Sequence, residues 1–182
     1  MKTGLIVVDV QNDYFTGGSM ELLNMDAAAT NCARLLEFFR KQQLDIFHMQ
    51  HIATREGATF FVADTAGCEI HDSVKPQAGE TVLVKHYPSS FRETDLAEIL
   101  KQAAVQELVI CGAMTHMCID STTRAAFDLG YNCHVIADAC ATRDLEFNGQ
   151  SVSAANVQAA FMAALSVPFA RISSTDQFLG AQ

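Results

Sequence analysis

The chain has 182 residues, of which 49% are hydrophobic and 18% are charged. This length and apolar content suffice for one domain with a full hydrophobic core, and we expect a single domain over residues 1–182. The formal net charge of −9 argues against general binding to nucleic acids. The apolar runs are too short for a membrane span, and the N-terminal segment lacks a signal-peptide pattern. We therefore expect a cytoplasmic protein that binds a small molecule and has no nucleic-acid or membrane partner.

The six cysteines form no C-x-x-C pair, and no histidines accompany them at the spacing of a zinc site. We expect most of them to be reduced and several to be buried. Cys111 and Cys133 are the clearest candidates for burial, because both lie in apolar segments of strand length.

Short apolar segments rich in Val and Ile alternate with segments of helical period along the chain. Their nearly continuous hydrophobicity is typical of parallel strands that are covered on both faces. The predicted strands are Gly4 to Asp9, Asp45 to Gln50, Thr81 to Lys85, Glu107 to Ala113, Asn132 to Asp138 and Ala170 to Ile172. The predicted helices are Asp26 to Gln42, Glu93 to Gln102, Met117 to Leu129 and Ser151 to Leu165. This order indicates an open α/β sheet with helices on both sides.

One long irregular segment, Gln50 to Glu80, interrupts this alternation. A loop of that length in a compact domain is usually functional or contains short elements of its own. We expect it to contribute to substrate specificity.

Three polar residues lie at the ends of predicted strands or in the turn that follows one. Asp9 and Lys85 each end an apolar run, and Cys118 follows a third run at the start of a predicted helix. Ligands of open α/β sheets bind beyond the carboxyl ends of the strands, so these side chains can converge there. The positive end of the helix dipoles would stabilise the Cys118 thiolate, the reactive form of cysteine. An acid, a base and a thiol are the groups that a nucleophilic cysteine enzyme requires.

Three longer motifs carry a resemblance to a known family. They are VVDVQNDYF near the start, GCEIHDSVKPQAGETVLVKHYPSSF in the middle, and ELVICGAMTHMCIDSTTRAAFDLGYNCHVIADACATRD. Together they resemble the isochorismatase-like cysteine hydrolase superfamily over most of the chain. The resemblance implies a three-layer α/β/α sandwich around a six-stranded parallel sheet, and a homodimer or a larger homo-oligomer.

The resemblance also assigns roles to particular residues. It implies that Asp9, Lys85 and Cys118 form a catalytic triad, and that the backbone N–H groups of Met114 and Cys118 form an oxyanion hole. It further implies a non-proline cis peptide bond between Ala113 and Met114. In the expected reaction Cys118 attacks a carbonyl carbon, Asp9 moves the proton to the leaving amine, and water releases the acid from a thioester.

Some members of this family are nicotinamidases, which bind a metal through an Asp-x-His pair and a further His. In this chain His51, Ile52 and Ala53 stand where that pair would lie, so we expect no metal and no other cofactor. His48, His51 and His71 remain possible ligands by residue type. The substrate pocket is expected to include Gln11, Phe15, Phe91 and His116.

Three functions remain open at this point. The presence of Cys118 favours hydrolysis of an amide, ureido or carbamoyl C–N bond of a small molecule, rather than a peptide bond. The second is an isochorismatase-type vinyl ether hydrolase that uses Asp9 as its acid. The third is a non-catalytic or redox-responsive binding protein in which Cys118 is an oxidisable thiol.

Overall fold

The computed structural model describes residues 1–181. Its eight strands are β1 (Thr3–Val8), β2 (Asp45–His51), β3 (Thr81–Lys85), β4 (Glu107–Ala113), β5 (Asn132–Ala141), β6 (Leu145–Phe147), β7 (Gln150–Val152) and β8 (Arg171–Ser173). Six of them form a parallel sheet in the order β3-β2-β1-β4-β5-β8, and β6 pairs with β7 in a separate antiparallel hairpin. The predicted six-stranded α/β fold is confirmed.

Two layers of helices cover the six-stranded sheet. The helices are α1 (Met25–Lys41), α2 (Leu96–Gln102), α3 (Asp120–Asp128), α4 (Ala154–Leu165) and α5 (Thr175–Gly180). Side chains of α1 and α5 belong to the core on one face, and those of α2, α3 and α4 belong to the core on the other. None of the helices within residues 1–181 combines the length and apolar character needed to cross a bilayer.

Successive residues of a strand enter opposite cores, as the alternation of side chains in a strand requires. In β1, Leu5 and Val7 pack towards α1, whereas Ile6 and Val8 pack towards the other helical layer. All four side chains are buried. Burial on both faces explains why the strand sequence is a continuous apolar run rather than an alternating one.

The structure corrects several predicted element boundaries. The predicted helix from Ser151 begins only at Ala154, because Gln150–Val152 is strand β7 and the Ser153 side chain caps the helix by accepting a hydrogen bond from Asn156 N. The predicted helix from Glu93 begins at Leu96. The hairpin β6–β7 and the helix α5 were absent from the predicted elements.

The sheet order changes direction between β1 and β4. From β1 the chain extends the sheet outward through β2 to β3, and it then returns to place β4 on the other side of β1. The carboxyl ends of the two strands at such a switch point leave a crevice in which ligands bind. Asp9 directly follows β1, and the turn that carries Cys118 directly follows β4.

Close packing of these two strands depends on a glycine. Gly112 has a φ of +120°, and a Cβ at this position would overlap the carbonyl oxygen of Val8. Any side chain there would therefore push β4 away from β1 next to Asp9.

We predict that Gly112→Ala lowers the free energy of unfolding by about 3 kcal/mol or more, because strain and a backbone overlap add together. The matched control is Gly130→Ala, since Gly130 also has a positive φ, of +92°, but faces open space. Gly130→Ala should lower the free energy of unfolding by about 1 kcal/mol. Urea unfolding of both variants measures the difference, and equal losses would contradict the packing argument.

Candidate active site

The three polar residues at the strand ends meet in one place. The Lys85 Nζ atom lies 2.7 Å from Asp9 Oδ2 and 3.3 Å from Cys118 Sγ. The side chains of Asp9 and Lys85 are fully buried, and Cys118 is 4% exposed. The ammonium group therefore bridges the carboxylate and the sulfur.

A sharp turn directs the Asp9 carboxylate into this cluster. Asp9 has a φ of +51°, in the left-handed region, and its N–H donates to the carbonyl of Met49. Asp9 Oδ2 is ion-paired with Lys85, whereas the buried Oδ1 has no hydrogen-bond donor among residues 1–181. An unpartnered carboxylate oxygen in a dry site is available to accept a proton.

Backbone carbonyl groups and a histidine complete the surroundings of Lys85. Its Nζ donates to the carbonyls of Tyr87 and Pro88, at 3.0 and 3.3 Å, and lies 3.1 Å from His51 Nδ1. Burial opposes the charge on Lys85, but the Asp9 carboxylate and Cys118 outweigh it and raise the pKa of the ammonium. Lys85 is therefore a permanent cation at the centre of the site.

His51 lies at the end of β2, beside Lys85 in the sheet. Burial, and then the neighbouring Lys85 charge, lower the pKa of His51 to about 4. The ring is therefore neutral at pH 7, and its Nδ1 accepts from the ammonium.

His51, Asp9 and Cys118 place donor atoms within 4.8 Å of one another, the spacing of a possible metal site. The Lys85 ammonium is within 3.3 Å of a donor atom of each of the three. Its own positive charge occupies the position that a metal cation would need, so these donors do not fit a metal while Lys85 is charged.

The surroundings of Cys118 do not stabilise a resting thiolate. Burial, followed by the Asp9 charge, raises the pKa of the thiol, and the opposing effect of Lys85 is smaller. The sequence-based expectation of a thiolate stabilised by helix dipoles is therefore wrong for the free protein. Cys118 lies in a π-helical turn, Thr115–Ile119, which precedes α3. The structure thus places a neutral thiol beside a carboxylate base.

A cavity of about 510 Å³ opens beside this cluster. Its walls are largely apolar and include Met20, Phe60, Tyr87, Met114 and Met117. Polar lining comes from three histidines, two arginines and a threonine: His51, His86, His116, Arg55, Arg143 and Thr54. A larger cavity, of about 630 Å³, lies between α1 and α4, and the three clustered residues themselves line neither cavity. We assign the smaller cavity to the active site because His51 and Met114 connect it to the cluster.

Comparison with known proteins identifies the family. The sequence model of the Isochorismatase domain matches residues 3–176. The chain is a member of the isochorismatase family of hydrolases. It is similar to the isochorismatase family protein YddQ of Bacillus subtilis, with 50% identity over 98% of this chain and 99% of that protein. A crystal structure from Oleispira antarctica, assigned to the isochorismatase hydrolases, is also 50% identical. It has a TM-score of 0.95 and covers 98% of this chain and 96% of that chain.

A more distant relative carries a named activity. The ureidoacrylate amidohydrolase RutB of Serratia proteamaculans is 29% identical over 76% of this chain and 69% of that protein. The family therefore includes an enzyme that acts on a C–N bond.

Three of the four side chains expected in the substrate pocket of this isochorismatase-family hydrolase do not line the cavity. Gln11 is fully buried and uses its amide to donate to the carbonyls of His51 and Cys68 and to accept from His51 N. Phe15 stacks on His71 at a centroid distance of 3.6 Å. Phe91 stacks on Tyr131 and packs against the core covered by α2, α3 and α4. Through these contacts the three side chains stabilise the loops and the core, and none of them faces the cavity.

His116 lines the cavity as expected. Its Nδ1 is 2.7 Å from Thr142 Oγ1, and burial followed by the Arg143 charge lowers its pKa. Arg143 and Arg55 also line the cavity but were absent from the predicted site. The Ala113–Met114 peptide bond is cis, as the family resemblance implied.

We predict that no Cys118 thiolate forms in the free hydrolase as the pH rises to the ordinary thiol pKa of 9.0. The raised pKa keeps the thiol protonated over this range, because burial and Asp9 both disfavour a second negative charge. The ultraviolet absorbance of thiolate, taken as the difference between wild type and Cys118→Ala, should stay flat. A step near neutral pH would show a preformed thiolate and contradict this reading.

Proposed function

We propose that this hydrolase cleaves a C–N bond of a small amide, ureido or carbamoyl compound through a Cys118 thioester. The observation that supports this most directly is the contact of Lys85 Nζ with both Asp9 Oδ2 and Cys118 Sγ. A thiol, a carboxylate base and a fixed cation within one buried cluster are the parts of an activated nucleophile.

In the proposed acylation step the Cys118 sulfur attacks the substrate carbonyl carbon while Asp9 takes the thiol proton. The new S–C bond gives a tetrahedral adduct with a negative oxygen, towards which the backbone N–H groups of Met114 and Cys118 donate. Asp9 then returns the proton to the leaving nitrogen as the C–N bond breaks. An amine or ammonia leaves, and a thioester remains on Cys118.

In the deacylation step Asp9 takes a proton from water, and the resulting hydroxide attacks the thioester carbonyl. Collapse of the adduct breaks the S–C bond, releases the carboxylic acid and returns a proton to the sulfur. Lys85 stays charged throughout, because its role is to stabilise the carboxylate and the developing negative charge on sulfur. No cofactor is needed in either step.

The raised pKa of Cys118 suits this cycle. A neutral thiol next to an ionised carboxylate gives up its proton only as the sulfur attacks, so the nucleophile forms in the presence of substrate. The same features speak against the redox-responsive binding protein, which would need an exposed thiol of low pKa. The contact of Cys118 with Lys85 also favours the thioester route over ether hydrolysis, in which the thiol would have no role.

We predict that Cys118→Ala abolishes hydrolysis, with a loss of roughly 10³-fold or more, as for covalent nucleophiles in other hydrolases. Ammonia release from a panel of small primary amides, ureido acids and carbamoyl compounds measures the activity. Rapid quenching and intact-mass spectrometry should show an acyl adduct on wild type and none on the variant. Cys133→Ala is the matched control, because Cys133 is also buried in the same core as Cys118 but lies at the amino end of β5 beside Thr123, whereas the cluster lies at the carboxyl ends of the strands.

Asp9→Asn should lower the rate of hydrolysis about 10²- to 10⁴-fold, the usual contribution of a general base.

Full activity of Cys118→Ala would rule out the thioester route. Turnover of isochorismate together with no hydrolysis of any amide in the panel would instead favour the vinyl ether hydrolase.

A further inference from the structure

The arginines of this chain divide into two groups by their ion pairing. The sequence contains seven arginines. Five of them pair with a carboxylate elsewhere on the molecule: Arg34, Arg40, Arg92, Arg124 and Arg171. The side chains of the other two, Arg55 and Arg143, have no ion pair or hydrogen bond within residues 1–181. Both line the cavity beside Cys118.

The cavity contrasts in charge with the rest of the molecule. The chain as a whole carries a formal charge of −9, yet no Asp or Glu is among the described residues that line this cavity. Burial lowers the pKa values of His51 and His116, so both rings are neutral at pH 7. Lys85 is neutralised by Asp9 at 2.7 Å. The charges on Arg55 and Arg143 are therefore not balanced within the pocket.

Arg143 is the better placed of the two arginines. It follows β5, which lies next to β4 in the sheet, so it reaches the same edge of the sheet as the Cys118 turn. It shares the cavity wall with Met114 and His116. Burial raises the pKa of Tyr14, as do Cys118 and Asp9, whereas the Arg143 charge lowers it, so Arg143 acts on the same surroundings as the cluster. Arg55 follows β2 and approaches the cavity from the opposite side.

We propose that the substrate of this hydrolase carries a carboxylate in addition to the scissile C–N bond, and that Arg143 binds this carboxylate. The guanidinium group offers a planar pair of N–H donors that matches a carboxylate, and its contact fixes the direction from which the substrate enters. The apolar wall accommodates the carbon skeleton between the two polar ends. The proposal rests on the proposed function, because it defines the substrate of that same thiol.

The test uses affinity labels that differ only in charge. N-Chloroacetyl derivatives of glycine, β-alanine and 4-aminobutyrate present one electrophilic carbon with a carboxylate at three distances. Their primary amides are neutral partners of nearly the same shape. The rate of Cys118 alkylation by each compound is followed by intact-mass spectrometry and peptide mapping, and glutathione supplies the intrinsic reactivity ratio of each pair.

For at least one length, we expect Cys118 of the wild type to be alkylated about 10- to 100-fold faster by the acid than by the amide, after correction for intrinsic reactivity. A ratio of this size corresponds to the free energy of one hydrogen bond to a charged group. Arg143→Gln should remove this preference, and Arg143→Lys should retain part of it. Arg34→Gln is the matched control, since it removes the same charge from an arginine paired with Asp176 outside the cavity. It should leave the preference unchanged.

An unchanged preference in Arg143→Gln would overturn the assignment, as would a preference for the amide in wild type. Loss of the preference in Arg55→Gln alone would assign the anion to the other side of the cavity and also overturn it. These outcomes leave the proposed function intact, because Cys118 still reacts. Absence of Cys118 labelling by every compound would instead count against Cys118 as the nucleophile, and the carboxylate site would fall with it.

Discussion

The ion pair between Asp9 and Lys85 is the interaction on which the rest of the site depends. Two fully buried charges lie 2.7 Å apart, in a region where an isolated charge would be very unfavourable. The three N–H groups of Lys85 are shared among Asp9, two carbonyl groups, His51 and Cys118, so the cation is held in a defined position. The pair also joins distant parts of the chain, because β3 and β1 are separated in the sheet by β2. The fold thus supports the pair, and the pair fixes the surroundings of the sulfur.

This arrangement determines the kind of nucleophile that the site provides. The low polarity around Cys118 and the nearby Asp9 charge keep the thiol neutral, while Lys85 moderates the cost of ionisation. In the proposed mechanism, proton transfer and attack are then coupled, so that reactivity appears only when a carbonyl group is in place. The unpaired arginines of the cavity add a second polar end to an otherwise apolar pocket. The proposed substrate, with a carboxylate at one end and the scissile C–N bond at the other, matches this distribution of groups.

The fold was largely predictable from the sequence, because strands buried on both faces leave continuous apolar runs. The convergence of Asp9, Lys85 and Cys118 followed from the rule that ligands bind beyond strand ends. The same rule applied to Arg143 after β5 would have found the second arginine of the cavity. Two further local signals in the sequence indicate elements outside the predicted set: the Asn148–Gly149 turn of the β6–β7 hairpin and the capping box of Ser174 and Gln177 before α5.

Other features depend on three-dimensional contacts that no local pattern contains. Gln11 and Phe15 lie within the VVDVQNDYF motif, yet their partners are groups of the Gln50 to Glu80 segment, which has no periodicity from which its path could be predicted. The pKa of Cys118 depends on burial in the core and on the Asp9 charge, and the helix start alone suggested the opposite direction. The predicted homo-oligomer stays a prediction.

A double-mutant cycle on the buried ion pair tests the central claim most directly. The free energy of unfolding is measured for Asp9→Asn, Lys85→Met and the double variant. Each single variant should lose about 3–5 kcal/mol, because it leaves the other charge buried without its partner. The double variant should be considerably more stable than the sum of the two losses predicts. If the losses simply add, the two charges do not depend on each other, and the account of this site is wrong.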